Sequence, residues 1–341
     1  MTERNYGVDL AKATAIFLVV LFHVLTVGKS VPQAGAGYWL GTYLTAFSSC
    51  CVDLFGLVSG YLGIAGHPTL RKWGRLWLQV VVINALMTVV CRFGFGVRLE
   101  GLDYTHAVLP VTSAAYWYFT AYTGLYCLMP LLNAGLKALD RRQALSVCAA
   151  LFAVTSVSAS IGARDVYGIV SGHSVLWLVS LYVIGATIRL HLTRLPRARW
   201  CLVAASALPC LTVAQEALVA KWPALAAKLE GRALAGHFIS PVILGLAVAL
   251  FLAMLRFRPT TDRAKRFVAF FSTTAFGIYL FHDQTTFHFR VWGGTFTGLA
   301  DQGTAHPLAW LASVLGLAVA TYVVCAGLEK GRQLVMGRIL K

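Results

Sequence analysis

"VDLAKATAIFLVVLFHVLTVG", residues 8–28, decides the fold class. The stretch is almost unbroken apolar sequence, long enough to cross the roughly 30 Å hydrocarbon core of a bilayer as one helix. Yet it holds Asp9, Lys12 and His23. An ionisable side chain inside a span costs a few kcal/mol on insertion scales, so it normally faces a cavity or a partner. No small-residue cleavage site follows it and many similar stretches come after it. The expectation is therefore a retained helix rather than a signal peptide.

The composition extends that reading to the whole chain. Its 341 residues are 58% hydrophobic and 12% charged, with a mean hydropathy of +0.71. Soluble domains carry about 25% charged residues, and no segment here is polar enough to stand as a separate soluble domain. The fold class expected is all-α, a polytopic membrane helical bundle forming a single transmembrane domain over residues 1–341. Ten spans are expected, at 8–27, 44–65, 76–93, 114–134, 144–160, 174–190, 200–219, 237–255, 267–287 and 307–327. The eight cysteines include no CxxC pair and fall mostly in apolar stretches. They read as small buried hydrophobes, not as a disulfide framework.

With that topology, 21 of the 29 Lys and Arg residues fall on the side of the N-terminus and 8 on the other. The positive-inside rule then places both termini in the cytoplasm. The net charge of +16 is thereby explained without nucleic acid. The same basic face could also dock an anionic cytoplasmic ligand.

Lys12 and His23 are eleven residues apart, which puts them within about 20° of one helix face and about 16 Å apart along it. Asp9 lies within i,i+3 reach of Lys12. One stripe thus carries two opposite charges near the cytoplasmic mouth and an imidazole deep inside. The structural alternative for His23 is an interhelical hydrogen bond. In the second span, Asp53 sits in apolar surroundings. The Ser59–Gly60 step could let a helix or a ligand come close. Arg71-Lys72-Trp73-Gly74-Arg75 follows, three cations beside a Trp. These suit a phosphorylated ligand with a stackable base, or simply anchor the helix. Trp117, Tyr118, Tyr122 and Tyr126 recur at helical spacing, as packing and interface belt or as a sugar platform. "FSTTAFGIYLFHDQTTFH", residues 271–288, is unusually polar for a span, with Ser272, Thr273, Thr274, Tyr279, His282 and Asp283. His282 stands near its outer end, where an interfacial position would also account for it. No G-x-S-x-G elbow, P-loop, H-E-x-x-H motif or zinc-like Cys/His spacing is present.

Four stretches together resemble acyltransferase family 3, the bacterial integral-membrane O-acyltransferases of surface polysaccharides. "VDLAKATAIFLVVLFHV" is similar to the family's opening helix, with an acidic residue, then Arg or Lys, ten residues and His. "VDLFGLVSGYL", followed by Lys72 and Arg75, is similar to its Asp…Ser-Gly-Phe/Tyr segment and basic R/K-x-x-R pair. "WYFTAYTGLYCLMPLL" and "STTAFGIYLFH" complete the order. Lys12 stands where many relatives have Arg, which keeps the charge and loses bidentate contact. The soluble esterase-like extension of some relatives does not follow the tenth expected span, so such a partner is expected to be separate or unneeded.

The resemblance implies an acyl-CoA co-substrate from the cytoplasm, most simply acetyl-CoA, and no metal. Arg71, Lys72 and Arg75 would hold the CoA phosphates. His23 would act as general base or acyl relay, with Lys12 and Asp9 on its stripe. Asp53, Ser59, Trp117, Tyr118 and Tyr122 are candidates to meet the acceptor. Ser272, Thr274, Tyr279 and His282 join them from the ninth span. The expected partners are membrane lipid, the CoA thioester and a carbohydrate acceptor on a cell surface or its lipid-linked precursor. A homo-oligomer or a polysaccharide-synthesis machinery stays open. The location implied is the bacterial cytoplasmic (inner) membrane, multi-pass. Two rivals remain. One is a transporter or flippase of a lipid-linked sugar, because intramembrane His, Lys and Asp also serve proton coupling. The other is a non-catalytic subunit of a polysaccharide-synthesis complex.

Overall fold

A computed structural model describes residues 4–162, 164–222, 224 and 236–339, with side chains up to Met336. Of the charges counted above, Lys228, Arg232 and Lys341 lie outside the described residues. Among the described residues there is no strand. Six helices are long and apolar enough to cross a membrane by length and composition: Tyr6–Thr26, Gly35–Gly63, Leu70–Gly94, Arg141–Ile161, Ala198–Lys221 and Pro307–Met336. Two shorter apolar helices, Val175–His191 and Pro241–Met254, stand at the sixth and eighth expected spans. The more polar helices Trp117–Ala138 and Asp262–His282 stand at the fourth and ninth. Every expected span therefore has a helix at its place. Several boundaries shift; the third helix starts at Leu70 and the tenth runs on to Ile339. The second starts nine residues early, at Gly35, because the Gly-, Tyr- and Thr-rich opening is helical without being apolar enough to be read as a span. The ninth ends at His282, which makes Asp283 its C-cap residue.

The chain forms two compact units that interleave along the sequence. The first comprises the residues up to Ala11 with Thr42–Trp73 and Ala121–Arg258. The second comprises Lys12–Gly41, Gly74–Thr120 and the residues from Pro259 onward.

In the first unit, helix Cys51–Gly63 packs against Val175–His191, and Ala198–Lys221 packs against Pro241–Met254. In a bilayer the lipid is as apolar as the interior, so close van der Waals packing rather than water exclusion holds helices together. Small residues serve that purpose here. A Cβ at Gly60 would run into the Tyr182 carbonyl, and one at Gly185 into the Leu57 carbonyl. The approach offered by Ser59–Gly60 is thus taken up by a helix. Across the same contact Trp177 Nε1 donates to Asp53 Oδ1 at 3.0 Å, while Tyr182 Oη donates to Asn133 Oδ1 on helix Trp117–Ala138 at 2.6 Å. The helix from Arg141 takes a π turn at Phe152–Ser158, where Ser156 Oγ donates to the Ile239 carbonyl at 2.6 Å.

In the second unit, helices Asp262–His282 and Pro307–Ile339 pack together. Gly277 opens the slot for Glu329, and Phe271 stacks on Tyr322 with ring centroids 4.5 Å apart. Tyr322 then ties in the first helix, donating to the Ala13 carbonyl at 2.9 Å and meeting Phe17 edge-on at 5.5 Å. Past His282 the chain leaves regular helix. A short turn at Thr285–Phe287 and a π turn at His288–Trp292 lead to Phe296. Gly294 N donates to the Val27 carbonyl and Phe296 N to the Gly28 carbonyl, both at 2.9 Å. These two bonds fasten the 283–296 segment to the end of the first helix. The fit needs glycine at 28, where a Cβ would strike the Phe296 ring.

Candidate active site

That fastening brings His23, His282, Asp283 and His288 together. His23 lies one turn before the end of the first helix, and its side chain keeps 14% exposure. Its Nδ1 stands 3.6 Å from Asp283 Oδ1. Asp283 is held by its own amide, which donates to the Tyr279 carbonyl at 3.0 Å, and its φ/ψ of −103°/13° turns the chain away from the helix. His288 Nδ1 lies 2.6 Å from the same carboxylate oxygen. The His23 ring is 4.8 Å from the His288 ring and 5.2 Å from the His282 ring. His282 is 1% exposed, and its Nδ1 is 2.6 Å from the Ile278 carbonyl. A carbonyl only accepts, so Nδ1 carries the proton and Nε2 presents a lone pair. That Nε2 is buried with no hydrogen-bond partner among the described residues.

A polar scaffold fixes the segment. Gln284 is fully buried; its Oε1 accepts from Phe287 N at 2.8 Å and its Nε2 donates to Asn84 Oδ1 at 3.0 Å. Asn84 Nδ2 donates to the His106 carbonyl at 2.6 Å, and Thr286 Oγ1 to Asp103 Oδ1 at 2.8 Å. Arg290 closes the outer edge on Asp103 at 3.3 Å and Glu100 at 3.4 Å. Thr285 Oγ1 donates to the Ala115 carbonyl, and Tyr116 Oη to the Leu280 carbonyl. Buried non-helical backbone is tolerated where protein satisfies its polar groups, and this network does so.

The candidate residues fall in both units. Asp9, Asp53, Ser59, Arg71, Lys72 and Tyr122 belong to the first. Lys12, His23, Arg75, Trp117 and Tyr118 belong to the second, with Ser272, Thr274, Tyr279 and His282. In the first, Asp9 accepts from Arg4 Nε at 2.5 Å, Asp53 is fully buried against Trp177, and Tyr122 stands 6.2 Å from Tyr126, ring to ring. Arg71 and Lys72 are exposed, with Lys72 Nζ on the His67 carbonyl at 2.8 Å. In the second, Arg75 is exposed and Lys12 half-buried. Tyr118 and Tyr279 meet with rings 6.2 Å apart, and Trp117 lies edge-on to Tyr118. Thr274 is fully buried and bonds back to the Phe270 carbonyl of its own helix at 3.0 Å, a local bond common for Thr within helices. Ser272 is buried on the same helix.

Asp283 and His288 were not among the candidates. Their signal is the pattern H-D-x-x-x-x-H at 282–288, two imidazoles flanking a carboxylate. A carboxylate behind an imidazole Nδ1 fixes the tautomer and stabilises the cation that forms when Nε2 takes a proton. At 3.6 Å the His23–Asp283 contact is longer than a hydrogen bond, as catalytic pairs often are before substrate binds. His23, Asp283 and His288 place one donor atom each within 4.8 Å of one another, a set that by type could hold a metal ion. Ligands about 2.0–2.1 Å from one tetrahedral ion would sit more than 3 Å apart. The 2.6 Å between His288 Nδ1 and Asp283 Oδ1 is closer than two ligands of one such ion would sit.

The arrangement defines a multi-helix membrane protein with a buried carboxylate–imidazole cluster. The sequence model of a family described as an acyltransferase domain, acyltransferase family 3, matches residues 5–329, nearly the whole chain, and the chain belongs to that family. No curated protein and no solved structure matches it.

Proposed function

We propose that this protein is a membrane O-acyltransferase. It moves an acyl group, acetyl in the simplest case, from cytoplasmic acyl-CoA to a hydroxyl of a cell-surface carbohydrate or its lipid-linked precursor. The cell is bacterial and the membrane its inner one, with both termini in the cytoplasm. The observation that carries the reading is His23, mostly buried, with Asp283 behind its Nδ1. Family membership supports the reaction class. The exposed cations Arg71, Lys72 and Arg75 support a phosphate-bearing donor.

In the reaction, His23 Nε2 takes the proton of the acceptor hydroxyl as its oxygen attacks the thioester carbonyl. The tetrahedral intermediate collapses with cleavage of the C–S bond. The departing CoA sulfur receives the proton from the imidazolium. Asp283 stabilises that imidazolium while it lasts. A two-step route through an acyl-imidazole at Nε2 uses the same atoms, with the acyl group parked on nitrogen between the transfers.

The test incubates radiolabelled acetyl-CoA with membranes containing wild-type or His23→Ala protein and follows label into carbohydrate. His23→Ala should lose about 10²- to 10⁴-fold in rate, the range of a positioned base. A folded His23→Ala protein at the wild-type rate would end the proposal. Wild-type protein that binds no CoA yet moves a lipid-linked sugar across vesicles would make it a flippase.

A further inference from the structure

A cavity of about 510 Å³ opens in the second unit beside the imidazole cluster. Its walls include Leu86, Val90, Phe287, Val324 and Leu328, and among the described residues His282 is its one imidazole. At the mouth, Leu86 is 50% exposed and Val324 60%. They stand on helices Leu70–Gly94 and Pro307–Ile339, both apolar enough to cross a membrane. The mouth is thus an apolar face between two such helices. His282, one of the lining residues, has its Nε2 buried without a partner among the described residues, and its ring lies 5.2 Å from that of His23. An occupant has an apolar body and a polar end within about one ring of the reacting centre.

We propose that this cavity receives the hydrocarbon tail of the acyl group being transferred, so that the donors include CoA thioesters with chains longer than acetyl. The inference rests on the acyl-CoA reading above. A cavity of about 150 Å³ holds a benzene, and this one is more than three times larger. The tail of a lipid-linked acceptor fits worse. Such a chain is separated from its sugar hydroxyls by a phosphate and at least part of a sugar ring. The 5.2 Å between the His282 and His23 rings is shorter than a phosphate with a sugar ring, and no cation among the described residues lines the cavity to meet a phosphate. An acyl tail begins at the reacting carbon itself, as this geometry requires. The bond changes are those already given: C–O forms, C–S breaks, and the tail is a spectator.

The test measures binding of CoA, acetyl-CoA, butyryl-CoA, hexanoyl-CoA and octanoyl-CoA to purified protein in nanodiscs, with empty nanodiscs as blank. Affinity should rise about two- to fourfold per methylene, as for burial of a CH₂ group. Ala320→Phe combined with Val324→Phe, at the exposed wall, should flatten the series and leave CoA itself unchanged. A flat wild-type series with CoA still bound overturns the tail site and spares the acyl-CoA reading. The same is true of a rising series that the filled groove leaves unaltered. Failure of CoA and every thioester to bind overturns both.

Discussion

Replacing Asp283 with Asn changes one charge and almost no volume, so it isolates what the carboxylate does. Its Oδ1 stands 3.6 Å from His23 Nδ1. At that separation two unit charges interact by about 5 kcal/mol for an effective dielectric near 20, which is an upper bound on what His23 loses when its imidazolium forms. About 1.4 kcal/mol is a factor of ten in rate, so the ceiling is between three and four decades. Asn retains part of this as a dipole, but its NH₂ can donate to Nδ1 and hold the proton on the wrong nitrogen. The expected outcome for Asp283→Asn is a hundred- to thousandfold fall in kcat with the KM for acyl-CoA within a few-fold of wild type. Thiol release from the thioester, followed in membranes that supply the acceptor, reads both numbers. Size-exclusion elution and melting temperature check that the protein is intact. An intact Asp283→Asn protein within threefold of the wild-type kcat would refute the reasoning, because a carboxylate that backs the base cannot be silent.

Two further outcomes follow from other parts of the chain. Lys72→Ala with Arg75→Ala should raise the KM for acyl-CoA by about tenfold while moving kcat far less, since charge-assisted bonds are worth roughly 1.5–3 kcal/mol each and exposure lowers that; an unchanged KM would leave these cations as topology signals. Gly60→Val should weaken the contact with helix Val175–His191 by about 1–3 kcal/mol through overpacking, read as a lowered melting temperature in detergent, whereas an unchanged melt would mean that the Tyr182 backbone has room to retreat.

His23 was legible in the sequence because a lone imidazole in a long apolar helix is costly to bury unless it meets a partner or a substrate, and the small Ser59–Gly60 step announced a close contact. The partner of His23 was much harder to see. Asp283 stood out as one of several polar residues near the end of an expected span. Its pairing with a residue 260 positions away depends on two backbone bonds, from Gly294 and Phe296 to the end of the first helix. Hydrophobic periodicity carries no trace of such bonds. His288 was hidden further by local geometry. It opens a π turn, so helical spacing counted from Asp283 misplaces it. Glu329 shows the same limit. It falls past the expected end of the tenth span and invites a position at the membrane edge. The helix instead runs on to Ile339, and Glu329 is 1% exposed in the slot left by Gly277, paired to Arg332 at 2.7 Å.

The position of the cluster has a physical reason. A continuous transmembrane helix uses its own backbone groups internally and can offer only side chains. Where helix Asp262–His282 stops, the backbone turns, and three reactive groups within seven residues can converge on a fourth from another helix. The cost of stopping is a set of buried backbone and side-chain groups that the helix no longer satisfies. Gln284, Asn84, Thr286 and Asp103 meet that need in this chain. The scaffold that makes a break in the helix tolerable is therefore the same one that aims Asp283 and His288 at His23. It follows that substitutions deep in this network act on the chemistry and on the fold together, whereas Asp283, at the tip of the turn, is where the two can be separated.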